Sequence, residues 1–154
     1  MLRQCIRSSG FTYIGLLILV AIISLVSTAT LQVGAVQERR AAEEELLEIG
    51  AEYSQALASY AAASPPGQKR SPSTLQDLVR DRRFPTPRRH LRKIYADPLT
   101  GKTEWGLVMA PDGSGIIGIY SLSDAQPIKI ANFETPNENF AKKTSYKFWV
   151  FKSP

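Results

Sequence analysis

The chain of 154 residues has one cysteine, Cys5, and one histidine, His90. A single cysteine forms no disulfide within the chain, and one histidine with one cysteine makes no zinc cluster. No proline occurs before Pro65, and no charged side chain occurs from Phe11 to Leu31. The glycines of Gly113-Ser114-Gly115-Ile116-Ile117-Gly118 resemble a phosphate-binding spacing. They precede a strand-like run instead of opening a helix, so they read as a hairpin turn. No serine or cysteine nucleophile has a neighbouring base in sequence. The reading is therefore of a protein that is not an enzyme and carries no cofactor. Removing Arg3 and Arg7 from the formal charge of +5 leaves +3 for the rest, a weak surplus.

What the chain does have is an apolar run, FTYIGLLILVAIISLVSTATL, at residues 11–31. About 21 residues at ~1.5 Å each span ~31 Å, enough to cross a hydrocarbon core of ~30 Å. Arg3 and Arg7 precede the run without an acid, which predicts a cytoplasmic N-terminus and an external remainder. Residues 32–63 continue in alanine, glutamate and leucine, all good helix formers. Leu46, Ile49, Tyr53, Leu57 and Tyr60 recur every three or four residues and predict one buried stripe. Glu43, Glu44, Glu48 and Glu52 lie mostly off it. One helix is expected from about Phe11 to about Ala63, with Gly34 and Gly50 marking bends.

Ser64 to Ser71 reads as a loop. A short helix is expected at Pro72 to Arg80, capped by Ser71, with Leu75, Leu78 and Val79 inward. Asp97-Pro98-Leu99-Thr100-Gly101 reads as a turn. Strands are expected at 104–109, 116–121, 128–133 and 146–152, the first two joined through Pro111-Asp112-Gly113-Ser114-Gly115. Trp105, Tyr120, Phe148 and Trp149 read as sheet core. The expected class is α+β, a long N-terminal helix on a small antiparallel C-terminal sheet. The expected segments are a leader at 1–10, a membrane-spanning half-helix at 11–31, an amphipathic half at 32–63 and a head at 64–154.

Two processing routes fit the N-terminus. A conventional signal peptide would be cut after Ser27-Thr28-Ala29 and release a soluble secreted protein. The alternative rests on Arg7-Ser8-Ser9-Gly10-Phe11-Thr12-Tyr13-Ile14. This segment resembles the leader of type IV prepilins and of type II secretion pseudopilins. The resemblance implies a pilin-like fold, cleavage between Gly10 and Phe11 by the prepilin peptidase, and methylation of the Phe11 amine. It also implies an inner-membrane protein with a periplasmic head, and other pseudopilin or pilin subunits as partners. The helix pattern that continues past residue 29 favours this route, because a signal peptide ends in an extended segment. Asp97-Pro98-Leu99-Thr100-Gly101-Lys102 is similar to the Asp-Pro turn of the major pseudopilin.

Two features depart from that family. Its glutamate at the fifth mature position is replaced by Gly15, which implies a minor or tip-like subunit; the plainer alternative is a small residue for close helix packing. Its calcium loop is not evident: Asp112, Asp124 and Glu134 are scattered and read as turn and cap residues. The densest charge is Arg80 to Lys93. Arg82, Arg83, Arg88, Arg89, Arg92 and Lys93 are candidates for contact with a neighbouring subunit, the membrane surface or DNA, with Phe84 and Tyr95 available for stacking. Pro85 and Pro87 keep these arginines off one helix face. The first reading of the stretch is a solvated surface, or one paired with Glu43 to Glu45 and Glu48, and those contacts are the alternatives to it. His90 reads as a surface residue.

Overall fold

The computed structural model describes residues 10–153; within the first helix, the side chains of residues 10–12 and 25–33 lie outside that description. The fold is α+β. Helix α1 runs Gly10–Ala62, and α2 is a single turn at Gln76–Val79. Strands β1 (Gly106–Met109), β2 (Ile116–Tyr120) and β3 (Phe151–Lys152) form one antiparallel sheet in the order β1-β2-β3. The chain divides into two compact units, Met1–Glu38 and Arg39–Pro154.

In the first unit, every large apolar side chain from Tyr13 to Ile23 is between 51% and 64% exposed. Over residues 13–23 the helix is apolar on all sides and makes no core of its own. Among the described residues no helix is long and apolar enough to cross a membrane. The uncharged stretch with described side chains, residues 13–24, rises only about 18 Å. The expected membrane-spanning run also includes residues 25–31, whose side chains lie outside the described residues.

The second unit is built on the predicted stripe. Leu46, Ile49, Tyr53, Ala56, Leu57 and Tyr60 of α1 are buried, each three or four residues from a neighbour on the same face. They pack with Leu78 of α2, Ile116 and Ile119 of β2, Phe151 of β3, and Trp105, Phe140, Tyr146 and Trp149. Helix α1 runs through Gly50 without a break. A Cβ at residue 50 would lie 2.2 Å from the Phe151 ring, so glycine lets β3 reach the helix backbone.

The β1–β2 hairpin forms around the Pro-Asp-Gly turn, with Leu107 opposite Ile119 and Met109 opposite Ile116. Three expectations are corrected. First, Ser71 and Pro72 do not start a helix. The Pro72 carbonyl instead accepts the Ile116 N–H at 2.8 Å, which holds this segment beside β2. Helix α2 begins later, where the Asp77 carboxylate accepts the Thr74 N–H at 2.9 Å. Second, residues 128–133 form no strand. The N–H groups of Ile128 and Lys129 are taken by the Glu43 carboxylate instead of a neighbouring strand. Third, residues 146–152 are not one strand. A 3₁₀ turn occupies Tyr146–Phe148, started by the Ser145 hydroxyl accepting the Lys147 N–H. Three residues per turn places Tyr146 and Trp149 together in the core. Phe148 is left outside, 56% exposed, against its expected place in the core.

Candidate functional site

Gly10 is the first residue of α1. The leader before it, with Cys5, lies outside the described residues, as does the Phe11 side chain. The backbone is helical from Gly10 through Ser27-Thr28-Ala29 to Ala62. Gly15 has nothing within 4 Å of where a Cβ would stand, so no local packing demands glycine there.

The six basic candidates divide into two sets. Arg83 is committed inside the fold. Its guanidinium lies 3.5 Å from the Tyr60 ring centre. It donates to both oxygens of Asp81, at 2.7 to 3.1 Å, and to the carbonyls of Tyr60 and Lys69. Asp81 is buried at 1% exposure. The Arg83 side chain holds its carboxyl down at about 2; burial opposes that shift, and the Arg83 N–H and His90 reinforce it. The same hydrogen bond to Asp81 raises the Arg83 pKa.

His90 is not a surface residue. Its ring is 4% exposed, with Nδ1 2.8 Å from the Ser59 hydroxyl and Nε2 3.4 Å from Asp81. It also meets Tyr60 edge-on. Asp81, Arg83, His90, Ser59 and Tyr60 thus fasten the basic segment to the end of α1. No local sequence signal announces this node, because Ser59 and Tyr60 stand 21 to 31 residues before Asp81, Arg83 and His90.

Arg82, Arg88, Arg89, Arg92 and Lys93 remain exposed on irregular chain. Arg88 lies 5.1 Å from the Phe84 ring centre and Lys93 5.2 Å from that of Tyr95. The two aromatic faces considered for base stacking are therefore already met by cations of the same chain. Among the described residues, the ion pairs are Arg83–Asp81 and Lys147–Asp124, with the His90 ring beside Asp81 as well. None joins these arginines to Glu44, Glu45 or Glu48.

Glu43 is a further buried carboxylate, 3% exposed. It accepts the Ile128 and Lys129 N–H groups at 3.0 and 2.8 Å and the Tyr146 hydroxyl at 2.9 Å. One turn earlier, Arg39 donates to the Gln126 carbonyl at 2.9 Å. The available signal was position: Glu43 stands three residues before Leu46, on the buried stripe. Burial, with the Glu43 hydrogen bond second, pushes the Tyr146 hydroxyl up to about 12.

Asp97 closes the Asp-Pro turn from within, fully buried. Its carboxylate accepts the Leu99 N–H at 2.9 Å and the Ser121 hydroxyl at 2.7 Å, which ties the turn to the end of β2. The three considered calcium donors do not meet. An Asp112 oxygen accepts the Ser114 N–H, Asp124 pairs with Lys147, and Glu134 lies at the turn before Asn137. Among the described residues no three acidic, histidine or cysteine side chains gather into a metal site.

No protein-family model, curated protein or solved structure matches the chain.

Proposed function

We propose that the chain is a pseudopilin-like subunit of a type II secretion system, with a pilin-like fold. Prepilin peptidase cuts it after Gly10 and the new Phe11 amine is methylated. The apolar start of α1 anchors it in the bacterial inner membrane, and the head lies in the periplasm. Its work is mechanical: the helix bundles with those of other pseudopilin subunits, and no substrate is chemically changed. Gly15, in place of a carboxylate, favours a minor or tip-like position over that of an ordinary filament subunit.

The observation that carries this reading is the helical backbone from Gly10 to Ala62. A conventional signal peptidase requires an extended segment, and residues 27–29 are helical. The fully apolar surface from Tyr13 to Ile23 adds support, because it suits lipid or neighbouring helices and not water. The intact mass of the mature protein is the test. A chain beginning at methylated Phe11 is expected; one beginning at Thr30 overturns the proposal.

A minor pilin that binds DNA is the second reading, favoured by the five exposed cations between Arg82 and Lys93. It requires salt-sensitive retention of DNA by the full-length protein in neutral detergent, lost on replacing Arg88 and Arg89 by alanine. Absence of retention at low salt ends it.

A further inference from the structure

The 3₁₀ turn at Tyr146–Phe148 leaves one aromatic ring of the head facing outward. Phe133, Phe140, Tyr146, Trp149 and Phe151 interlock ring against ring, with centres 5.0 to 5.9 Å apart, and Phe148 takes no part in that cluster. Its ring instead lines a cavity of about 300 Å³, the lower end of the range for ligand sites. Phe140 and Val150 supply further apolar wall, Asn137 and Asn139 supply amide groups, and Lys143 and Lys152 supply positive charge.

The charges along this segment are mostly positive. From Asn137 to Ser153 the sequence holds four lysines and a single acid, Glu138. Glu138 accepts the Thr135 hydroxyl at 2.7 Å, and Lys147 is paired with Asp124. Neither Lys143 nor Lys152 has an ion-pair partner among the described residues. An exposed ring that shares a cavity with two lysines lacking ion-pair partners among the described residues matches a ligand that joins an apolar side chain to carboxylates. The two asparagine amides each present a donor and an acceptor, which suits the peptide groups of an extended chain.

We infer that this cavity is a docking site for a partner protein's extended segment carrying an aromatic side chain next to acidic residues. The aromatic side chain packs on Phe148, the carboxylates meet Lys143 and Lys152, and the backbone meets Asn137 and Asn139. Aromatic anchors in partly enclosed pockets carry most of the binding energy in such contacts, and rim charges select the partner. The site needs neither leader cleavage nor filament assembly, so it stands apart from the proposed function.

The test uses the full-length protein in neutral detergent and three fluorescently labelled peptides: Phe-Asp-Asp, Ala-Asp-Asp and Phe-Lys-Lys, capped at both ends. Anisotropy is expected to report binding of the first, at least tenfold weaker binding of the other two, and weakening with salt. Phe148→Ala is expected to lower the affinity about tenfold. Lys143→Glu with Lys152→Glu is expected to abolish it, with the circular dichroism spectrum unchanged. All three substituted residues are exposed, so folding is retained. Equal binding of all three peptides, binding that survives both variants, or no binding at low salt overturns the inference. A Phe148-dependent dimer without peptide binding also overturns it, since a second copy would then be the occupant.

Discussion

The Tyr146 hydroxyl donates to the Glu43 carboxylate across 2.9 Å, joining residues 103 positions apart in the sequence. The same carboxylate holds two backbone N–H groups, so one side chain of α1 organises both the 126–129 segment and the 3₁₀ turn.

Glu43→Ala leaves the buried Tyr146 hydroxyl and two part-buried N–H groups without their acceptor and is expected to destabilise the second unit by about 2–3 kcal/mol. Glu43→Gln keeps one carbonyl oxygen and is expected to lose less. Tyr146→Phe is expected to lose about 1–2 kcal/mol and to show coupling with Glu43→Ala in a double-mutant cycle of denaturant midpoints. Purely additive losses would refute the coupling. The alkaline side carries a second signature. Because the Tyr146 pKa rises from 10.0 to about 12 on folding, its contribution is complete below pH 10 and is lost as pH climbs through about 12. Tyr146→Phe is expected to flatten that decline.

Asp81 sets the acid side. Its folded pKa of about 2 lies below its ordinary 3.8, so its contribution is complete above about pH 4 and disappears as pH falls through 2. The loss is expected to be on the order of 1–2 kcal/mol and to be absent in Asp81→Asn, read from unfolding curves between pH 5 and 2. Arg83→Lys, which loses the forked contact, is expected to destabilise by about 1–3 kcal/mol, while Arg88→Ala stays within about 0.5 kcal/mol. Equal effects of the two substitutions would contradict the division between committed and exposed arginines.

Two glycines of the same helix are expected to respond with opposite signs. Gly34→Ala meets nothing and is exposed, so it is expected to stabilise the helix by up to about 1 kcal/mol. Gly50→Ala gains the same propensity but drives a methyl group into the Phe151 ring. It is expected to be destabilising by about 1–3 kcal/mol. Gly50→Ala combined with Phe151→Leu is expected to recover part of that loss. Thermal melts of the four proteins decide it, and a stabilising Gly50→Ala would show that the ring yields without strain.

Gly15→Glu has room for its side chain. Under the pseudopilin reading it supplies the carboxylate that a neighbour's Phe11 amine lacks, so self-association of the mature chain is expected to rise several-fold. The mass of the cleaved product stays that of a Phe11 start plus the substitution. Unchanged association, measured by cross-linking in membranes, would argue that position 15 serves helix packing alone.

The parts of the fold with a strict local period were readable in advance. Leu46, Ile49, Tyr53, Leu57 and Tyr60 repeat at helical spacing, and all five are buried. The Pro111-Asp112-Gly113 turn places β1 and β2 as expected. Failures came where a distant side chain outbid a local pattern. Ile128 and Lys129 look like strand residues, but Glu43 takes their N–H groups. Tyr146 to Lys152 alternates as a strand does, yet pairing Tyr146 with Trp149 in the core requires a spacing of three. His90 looked like part of a solvated basic run because Ser59, on α1, is 31 residues away, although Asp81 is only nine. Among the candidate contact residues, nothing local distinguished Arg83, which turns inward, from Arg82, which does not.

The separation between the α1 stripe and its covering also sets a clock. Leu46 to Tyr60 are made about 100 residues before Trp149 and Phe151, which at ~5–20 residues per second is on the order of 5–20 s of synthesis. Through that interval a row of leucine, isoleucine and tyrosine side chains waits uncovered. The newborn chain therefore depends on whatever shields that row before its own last strand arrives.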